Sequence, residues 1–366
     1  MSTISKDYFL ERDCDNQRKL NELIQNDLPK FCDEFFIGIQ NRTTLLTRLN
    51  YASDLRLFFG YCFDRIERFK YLSIKDFSFK ELNSITAFEI EQYLNYISVY
   101  TNNINGNDII YKNGERGKSR KLSTLRALMN YFYKKECITQ NTAAKVDTPK
   151  LHEKEIVRLQ GDEIEDLLNT VETGNGMSKR QQVYHSKSNL RDVAIVTLLL
   201  GTGIRISECV GLNYDDINFK DNSFAITRKG GNRVILYFSE EVAAALMPYI
   251  DQRISNKAIN LNQKALFLSK DFERLSPRSV QLLIKKYSKV ATPLKKITPH
   301  KLRSTYGTEL YRETGDIYVV ADVLGHKDVN TTKKHYAAIT DDIRKKASEK
   351  VILHKKNLDS NIDETK

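Results

Sequence analysis

Cysteine is sparse in this chain and cannot all pair. The five cysteines, Cys14, Cys32, Cys62, Cys137 and Cys209, are odd in number and show no CxxC spacing. Neither a disulfide framework nor a zinc ribbon is supported, and a reducing, cytoplasmic setting is expected. Long apolar runs are missing too. The longest, 193–200, is interrupted by Thr197 and falls far short of the roughly 20 residues that a membrane span needs. The N-terminus has no signal-type apolar core. No Walker loop, carboxylate cluster of two-metal type or internal repeat is evident. These absences predict a soluble protein that contacts no membrane and needs no cofactor, neither nucleotide nor metal.

What the chain does have is length and positive charge. At 366 residues it is long enough for two globular units, each with its own core. An excess of 58 Lys and Arg over 47 Asp and Glu gives a formal charge of +11, which favours a polyanionic partner. Lysine-rich codon usage produces the same balance, so charge alone does not decide the partner.

Hydrophobic periodicity reads as helix through most of the first 150 residues. Leu45, Leu49, Ala52, Leu55, Phe59 and Cys62 share one helical face, and the helical reading starts there, about 40 residues into the chain. Thr86 with Glu89 three residues on is a capping-box start. Another helix is predicted from about Ser123, with Leu125, Leu128 and Phe132 facing inward, and the Asn-, Gly- and Lys-rich stretch 102–119 is predicted to be a loop. Low apolar content and Pro149 place a linker within 147–157. Beyond it, a helix is expected from Gln160, a polar loop over 174–188, and an apolar helix ending at Gly201 and Gly203. The one β-hairpin predicted pairs 223–228 with 234–238 around a turn containing Lys229, Gly230, Gly231 and Asn232. Ser276 is an N-cap candidate with Pro277 at the first helical position.

Five short segments of the second half stand out. Arg205 and Glu208, three apart after Gly203, are predicted to share a helical face on which the carboxylate can orient the guanidinium. His300 and Arg303 follow Pro299 with the same spacing. Lys229 lies in the hairpin turn, His326 follows Leu324 and the helix-capping candidate Gly325, and Tyr336 comes ten residues later. Singly, each has an ordinary reading: a surface arginine, a solvated histidine, a solubility lysine, one of nineteen tyrosines.

Taken together and in this order, the segments resemble the tyrosine recombinase, or lambda-integrase, family, strongly over about 156–340 and more loosely in the helical first half. The resemblance implies a mainly α protein with a small β-hairpin, forming a C-shaped clamp around DNA. It implies a helical, SAM-like core-binding domain over 1–150, a linker over 151–158, and a mixed α/β catalytic domain over 159–366 ending in an exchange helix. Tyr336 is then the nucleophile that takes up a 3′-phosphate, and Arg205 and Arg303 clamp the non-bridging oxygens of the pentavalent phosphorus. His300 assists proton transfer at the phenol, Lys229 protonates the departing 5′ oxygen, His326 bonds the phosphate, and Glu208 supports Arg205. The covalent link conserves the energy of the broken bond, so neither ATP nor a metal ion is called for. Lys112, Arg116, Lys118, Arg120 and Lys121 form the densest basic patch of the first domain and are the candidates for phosphate contact there.

Within that family the chain resembles the Xer-type single recombinases of low-GC bacteria, which implies chromosome dimer resolution by a homo-tetramer on two DNA sites, each with paired inverted half-sites. A translocase or directionality factor is a candidate accessory partner. Ser304 stands where the family often has a second histidine, and the ten-residue interval from His326 to Tyr336 departs from the nine usual in the Xer group. A mobile-element integrase or a DNA invertase is therefore the alternative, and a type IB topoisomerase a remoter one. Apolar positions Ile339, Ile343, Ala347 and Val351 form a four-residue stripe, and the resemblance implies that this tail docks on a neighbouring subunit. A DNA-binding regulator that had lost catalysis is expected to lack a key residue, and none is missing.

Overall fold

A computed structural model describes residues 8–104, 106–150, 152, 157–228, 232–325 and 329. The chain divides into two units, Met1–Lys154 and Glu155–Lys366. The protein is mainly helical, with two small antiparallel sheets among the described residues.

The first unit holds α1 (Tyr8–Asp27), α2 (Phe31–Gly38), α3 (Leu45–Arg65), α4 (Phe79–Ser84), α5 (Ala87–Tyr96), the strands β1 (Val99–Ile104) and β2 (Asn107–Lys112), and α6 (Glu115–Lys134). Its core is aromatic: Phe35, Phe58, Phe59, Phe77, Tyr93 and Phe132 are fully buried, and Phe59 meets Phe77 edge-on at 5.3 Å. Burying each such ring contributes about 1.5–3 kcal/mol. Helix starts follow local chemistry. The hydroxyl of Thr44 accepts from the N–H of Thr47 ahead of α3, and Thr86 and Glu89 form the expected reciprocal box ahead of α5.

Three expectations for this half are corrected. The helices do not begin at Leu45: α1 and α2 precede it, and their Leu20, Cys32, Phe35 and Phe36, with Leu28 between the two helices, enter the core. The stretch 102–119 contains part of a hairpin in which Tyr100 pairs with Tyr111, their rings stacked at 5.3 Å. Helix α6 starts at Glu115, eight residues before Ser123, because Arg116, Lys118 and Arg120 supply a polar face that apolar periodicity does not report.

The second unit holds α7 (Gly161–Thr173), α8 (Lys179–Thr202), α9 (Ile206–Gly211), β3 (Ile217–Asn218), β4 (Ser223–Thr227), β5 (Arg233–Tyr237), α10 (Glu240–Ser255), α11 (Pro277–Ala291), α12 (Pro299–Thr314) and α13 (Ile317–Leu324). Helix α8 is central: Ala194, Ile195, Val196, Leu198 and Leu199 are buried where it packs against α7, α10 and α12. Its buried Asp192 accepts from Tyr287 Oη at 2.7 Å, Lys286 Nζ at 3.2 Å and Arg191 Nη2 at 2.8 Å, which pins α8 to α11. The polar loop predicted over 174–188 is shorter than expected. Ser178 caps α8, with Gln181 closing the box, so the helix begins at Lys179.

The three strands run in the order β3–β4–β5, with Phe224 opposite Leu236 and Thr227 opposite Arg233. The hairpin thus forms where its turn residues predict. Ser276 and Pro277 begin α11 as expected, the serine hydroxyl accepting from the Ser279 N–H at 3.1 Å. Among the described residues no helix is long and apolar enough to cross a membrane.

Candidate active site

The site is assembled around the carboxyl end of α13. Helix α8 stops at Gly203, whose φ of +61° is left-handed and favours glycine. A Cβ there would come within 2.4 Å of the Tyr306 ring and 3.0 Å of Leu324, so the absent side chain also lets α8, α12 and α13 converge.

Arg205 follows directly. It is the N-cap of α9 rather than a residue within it, so the pair does not sit on a shared helical face as the spacing suggested. The contact is tighter than that. Buried Glu208, at the third helical position, accepts from the Arg205 N–H at 2.7 Å and from its Nη1 at 2.9 Å. One carboxylate thereby fixes both the main chain and the guanidinium, and charge assistance makes these bonds about twice as strong as neutral ones. Arg205 Nη2 donates to the Gly325 carbonyl at 3.0 Å.

Arg303 reaches the same place from α12, whose first residue is Pro299 as expected. Its guanidinium is buried, with Nη1 donating to Gly203 O at 2.5 Å and Nη2 to Leu324 O. His300, one turn earlier, is exposed. A third arginine joins them. Arg228, at the end of β4, donates from Nη1 to Asp322 O at 3.0 Å and from Nη2 to Val323 O at 2.6 Å.

Helix α13 ends at Gly325, in the left-handed conformation with φ of +61°, which bears out its reading as a cap. The carbonyls of Asp322, Val323, Leu324 and Gly325 point out of the helix end and carry its partial negative charge. Each accepts from one of the three arginines. Burial pulls the Arg228 guanidinium below its ordinary range, Arg205 adds to that, and Glu208 and Asp322 oppose it. The arrangement concentrates three cations on one helix end, balanced by Glu208 and the helix dipole, and an anion with several acceptor oxygens is the ligand such a site suits.

Lys229, His326 and Tyr336 lie outside the described residues, as does the apolar stripe 339–351. In the first unit, the five cations of the basic patch separate. Lys112 and Arg116 are exposed and Lys118 is half-buried. Arg120 hydrogen-bonds to Asp54, whereas Lys121 is buried with its ammonium 3.4 Å from the same carboxylate. Lys121 is therefore taken up by the fold and is not part of the exposed face.

Some supports carried no motif. Arg274 donates from Nη1 to the carbonyls of Val210 and Leu212 at 2.8 and 3.0 Å, fixing the far end of α9. Its partners are main-chain atoms, which leave no trace in a side-chain pattern.

Comparison with known proteins bears on the family and the fold. Residues 157–342 match the model of the phage integrase family. The tyrosine recombinase XerC of Caldanaerobacter subterraneus subsp. tengcongensis is 32% identical over 292 residues, 77% of this chain and 75% of that protein. The tyrosine recombinase XerS of Lactococcus lactis subsp. cremoris is 27% identical over 348 residues, 86% of this chain and 95% of that protein. Among solved structures, the XerH site-specific recombinase bound to palindromic difH substrate, a post-cleavage complex, superposes with a TM-score of 0.62 at 18% identity, covering 84% of this chain and 80% of that one.

Proposed function

The chain belongs to the phage integrase family of tyrosine recombinases, and on that premise we propose that it performs Xer-like site-specific recombination, resolving chromosome dimers through a 3′-phosphotyrosyl intermediate. The observation that carries the reading is the meeting of Arg205 and Arg303. They come from segments about a hundred residues apart, yet donate to the adjacent carbonyls of Gly325 and Leu324. Two guanidiniums so close present paired donors to the non-bridging oxygens of one phosphodiester.

In this reading the Tyr336 oxygen attacks the scissile phosphorus while the bond to the 5′ oxygen breaks. Phenols in general have a pKa near 10 and are weak nucleophiles at neutral pH unless a base takes the proton; in this reading His300 takes it. Lys229 gives a proton to the leaving 5′ oxygen, because an alkoxide is too basic to depart unaided. His326 bonds the phosphate, and Glu208 holds Arg205. The 5′ hydroxyl of the exchanging strand then attacks the phosphotyrosine, restoring the phosphodiester and the free tyrosine. The bond count is unchanged at each step, so no external energy is required.

Exchange between two DNA duplexes, each carrying two inverted half-sites, needs four active sites, which supports a homo-tetramer; the 339–351 stripe is the segment we assign to the contact between neighbours. Similarity to XerS over 95% of that protein's length favours the Xer role over a mobile-element integrase or invertase. The test is a DNA site nicked beside the scissile phosphate, which traps the covalent intermediate. Protein linked to a 3′ DNA end is expected on a denaturing gel, and Tyr336→Phe should bind the site yet give no such band. An adduct with Tyr336→Phe assigns the nucleophile elsewhere.

A further inference from the structure

Arg228 is one of three arginines at the end of α13, but it differs from the other two in what it is attached to. It is the first residue beyond β4, and its N–H donates to Asn232 O at 2.9 Å, joining the two ends of the connection between β4 and β5. Its side chain leaves the hairpin altogether and spans two consecutive carbonyls of α13, Asp322 and Val323. One residue thus joins the base of the turn to the helix end that Arg205 and Arg303 hold.

The surroundings are shaped for this contact. A Cβ on Gly325 would come within 2.4 Å of Arg228 Nη1 and 2.6 Å of its Cζ, so the guanidinium occupies the space that a side chain would fill. An arginine kept for solubility would point to water; this one is half-buried beside another cation. Both Nη atoms donate to consecutive carbonyls of one helix, which ties the group to the end of α13. Arginine's planar fork spans two carbonyls in a fixed geometry, which lysine's single flexible ammonium holds less rigidly.

We propose that Arg228 is a positioning residue for strand cleavage, bolting the root of the β4–β5 turn to the end of α13 so that the turn is held in register with the two phosphate-binding arginines. The proposal rests on the reading above, in which Lys229 delivers the proton to the leaving oxygen. A general acid contributes on the order of 10²–10⁴-fold, and only when it lies within hydrogen-bonding reach of the atom it protonates. Loss of the bolt should therefore act on leaving-group protonation rather than on phosphate binding.

A substrate with sulfur in place of the bridging 5′ oxygen separates the two. The P–S bond breaks in cleavage and the thiolate departs without a proton, because a thiol is far more acidic than an alcohol. Single-turnover cleavage of nicked sites with either leaving atom is measured for wild type, Arg228→Gln, Arg228→Lys and Lys229→Ala, with half-site binding and melting temperature as controls. Arg228→Gln should lose at least about tenfold on the oxygen substrate and return to within about threefold of wild type on the sulfur one. Arg228→Lys should behave likewise with a smaller loss, and it carries the test if the Gln variant does not fold. Equal losses on both substrates, or no loss on either, overturn the proposal provided that sulfur rescues Lys229→Ala. If sulfur fails to rescue Lys229→Ala, the role given to Lys229 is wrong and the proposal falls with it.

Discussion

Glu208 binds Arg205 twice, through the main-chain N–H at 2.7 Å and the guanidinium at 2.9 Å, and does so from a buried position. On the proposed function, in which that guanidinium binds the phosphate, the carboxylate sets where the charge sits. Glu208→Gln keeps an acceptor for one donor and should slow cleavage by about tenfold, while Glu208→Ala, which frees both, should cost about 10²-fold. Half-site affinity should change little in either. Single-turnover cleavage beside mobility-shift titration checks this. Wild-type cleavage by Glu208→Ala would mean that Gly325 O alone suffices to orient Arg205.

Replacing Arg205 by Ala should lower the cleavage rate on the order of 10²-fold or more, by analogy with loss of a preorganised oxyanion donor. Arg205 is the better probe of the two arginines, since Arg303 is buried and its removal strands the carbonyls of Gly203 and Leu324. The cations at the phosphate are side chains in this mechanism, so cleavage should persist in excess EDTA. Abolition by EDTA, reversed by magnesium, would overturn it.

How much of this was legible beforehand depends on whether the signal resides in side chains. The Thr86–Glu89 and Ser276–Pro277 helix starts and the β4–β5 hairpin were, because capping and turn chemistry are written in the residues that perform them. The β1–β2 hairpin was missed although Asn105 followed by Gly106 is a two-residue turn signal. Its strands are so rich in Asn that the apolar alternation is hidden. Ser178 and Gln181 likewise announced α8 within a stretch too polar to show periodicity. At the site, motif order singled out Arg205, Glu208 and Arg303, but the meeting of the two arginines on the end of α13 is made through carbonyls. Every residue carries a carbonyl, so no sequence pattern marks that contact.

Acid should weaken the first unit through a specific ion pair. Both terminal nitrogens of Arg68 reach Glu89, Nη2 at 2.8 Å, and Glu89 also accepts from the Thr86 N–H at 2.9 Å. The Arg68 bond, helped by Thr86 and opposed by burial, holds the Glu89 carboxyl below its ordinary range. A depressed carboxylate contributes stability that is complete above its unfolded value and is lost as pH falls through the folded one. Arg68→Met should therefore cost about 1 kcal/mol at neutral pH, discounted for the exposure of Arg68, and the gap to wild type should close below about pH 4. Urea unfolding at pH 7 and about pH 3.5 tests this. A gap that does not vary with pH would mean that Arg68 acts by packing over the Phe69 ring, 4.4 Å from its guanidinium carbon.

The basic patch of the first unit makes a prediction that composition alone could not. Arg120 and Lys121 serve a single carboxylate, Asp54, which is 4% exposed and also accepts from Thr124 Oγ1 at 3.1 Å. Lys121→Ala leaves Asp54 with Arg120 and Thr124 but removes its buried cation, and should destabilise the unit by about 1–2 kcal/mol. Lys112 and Arg116 are exposed and Lys118 half-buried, and on the proposed function these three are the ones expected to meet phosphate. Neutralising each one that contacts phosphate should lower the slope of log affinity against log salt by about 0.9 without moving the melting temperature. Half-site titrations from about 50 to 200 mM salt, the range over which phosphate contacts lose most affinity, would be run beside thermal melts of the same variants. If the triple variant Lys112→Ala, Arg116→Ala, Lys118→Ala keeps the wild-type slope, the patch is a solvated face and the first unit grips DNA elsewhere. If Lys121→Ala lowers the slope while melting as wild type does, its charge serves DNA and not Asp54, against the 3.4 Å contact that defines its place in the fold.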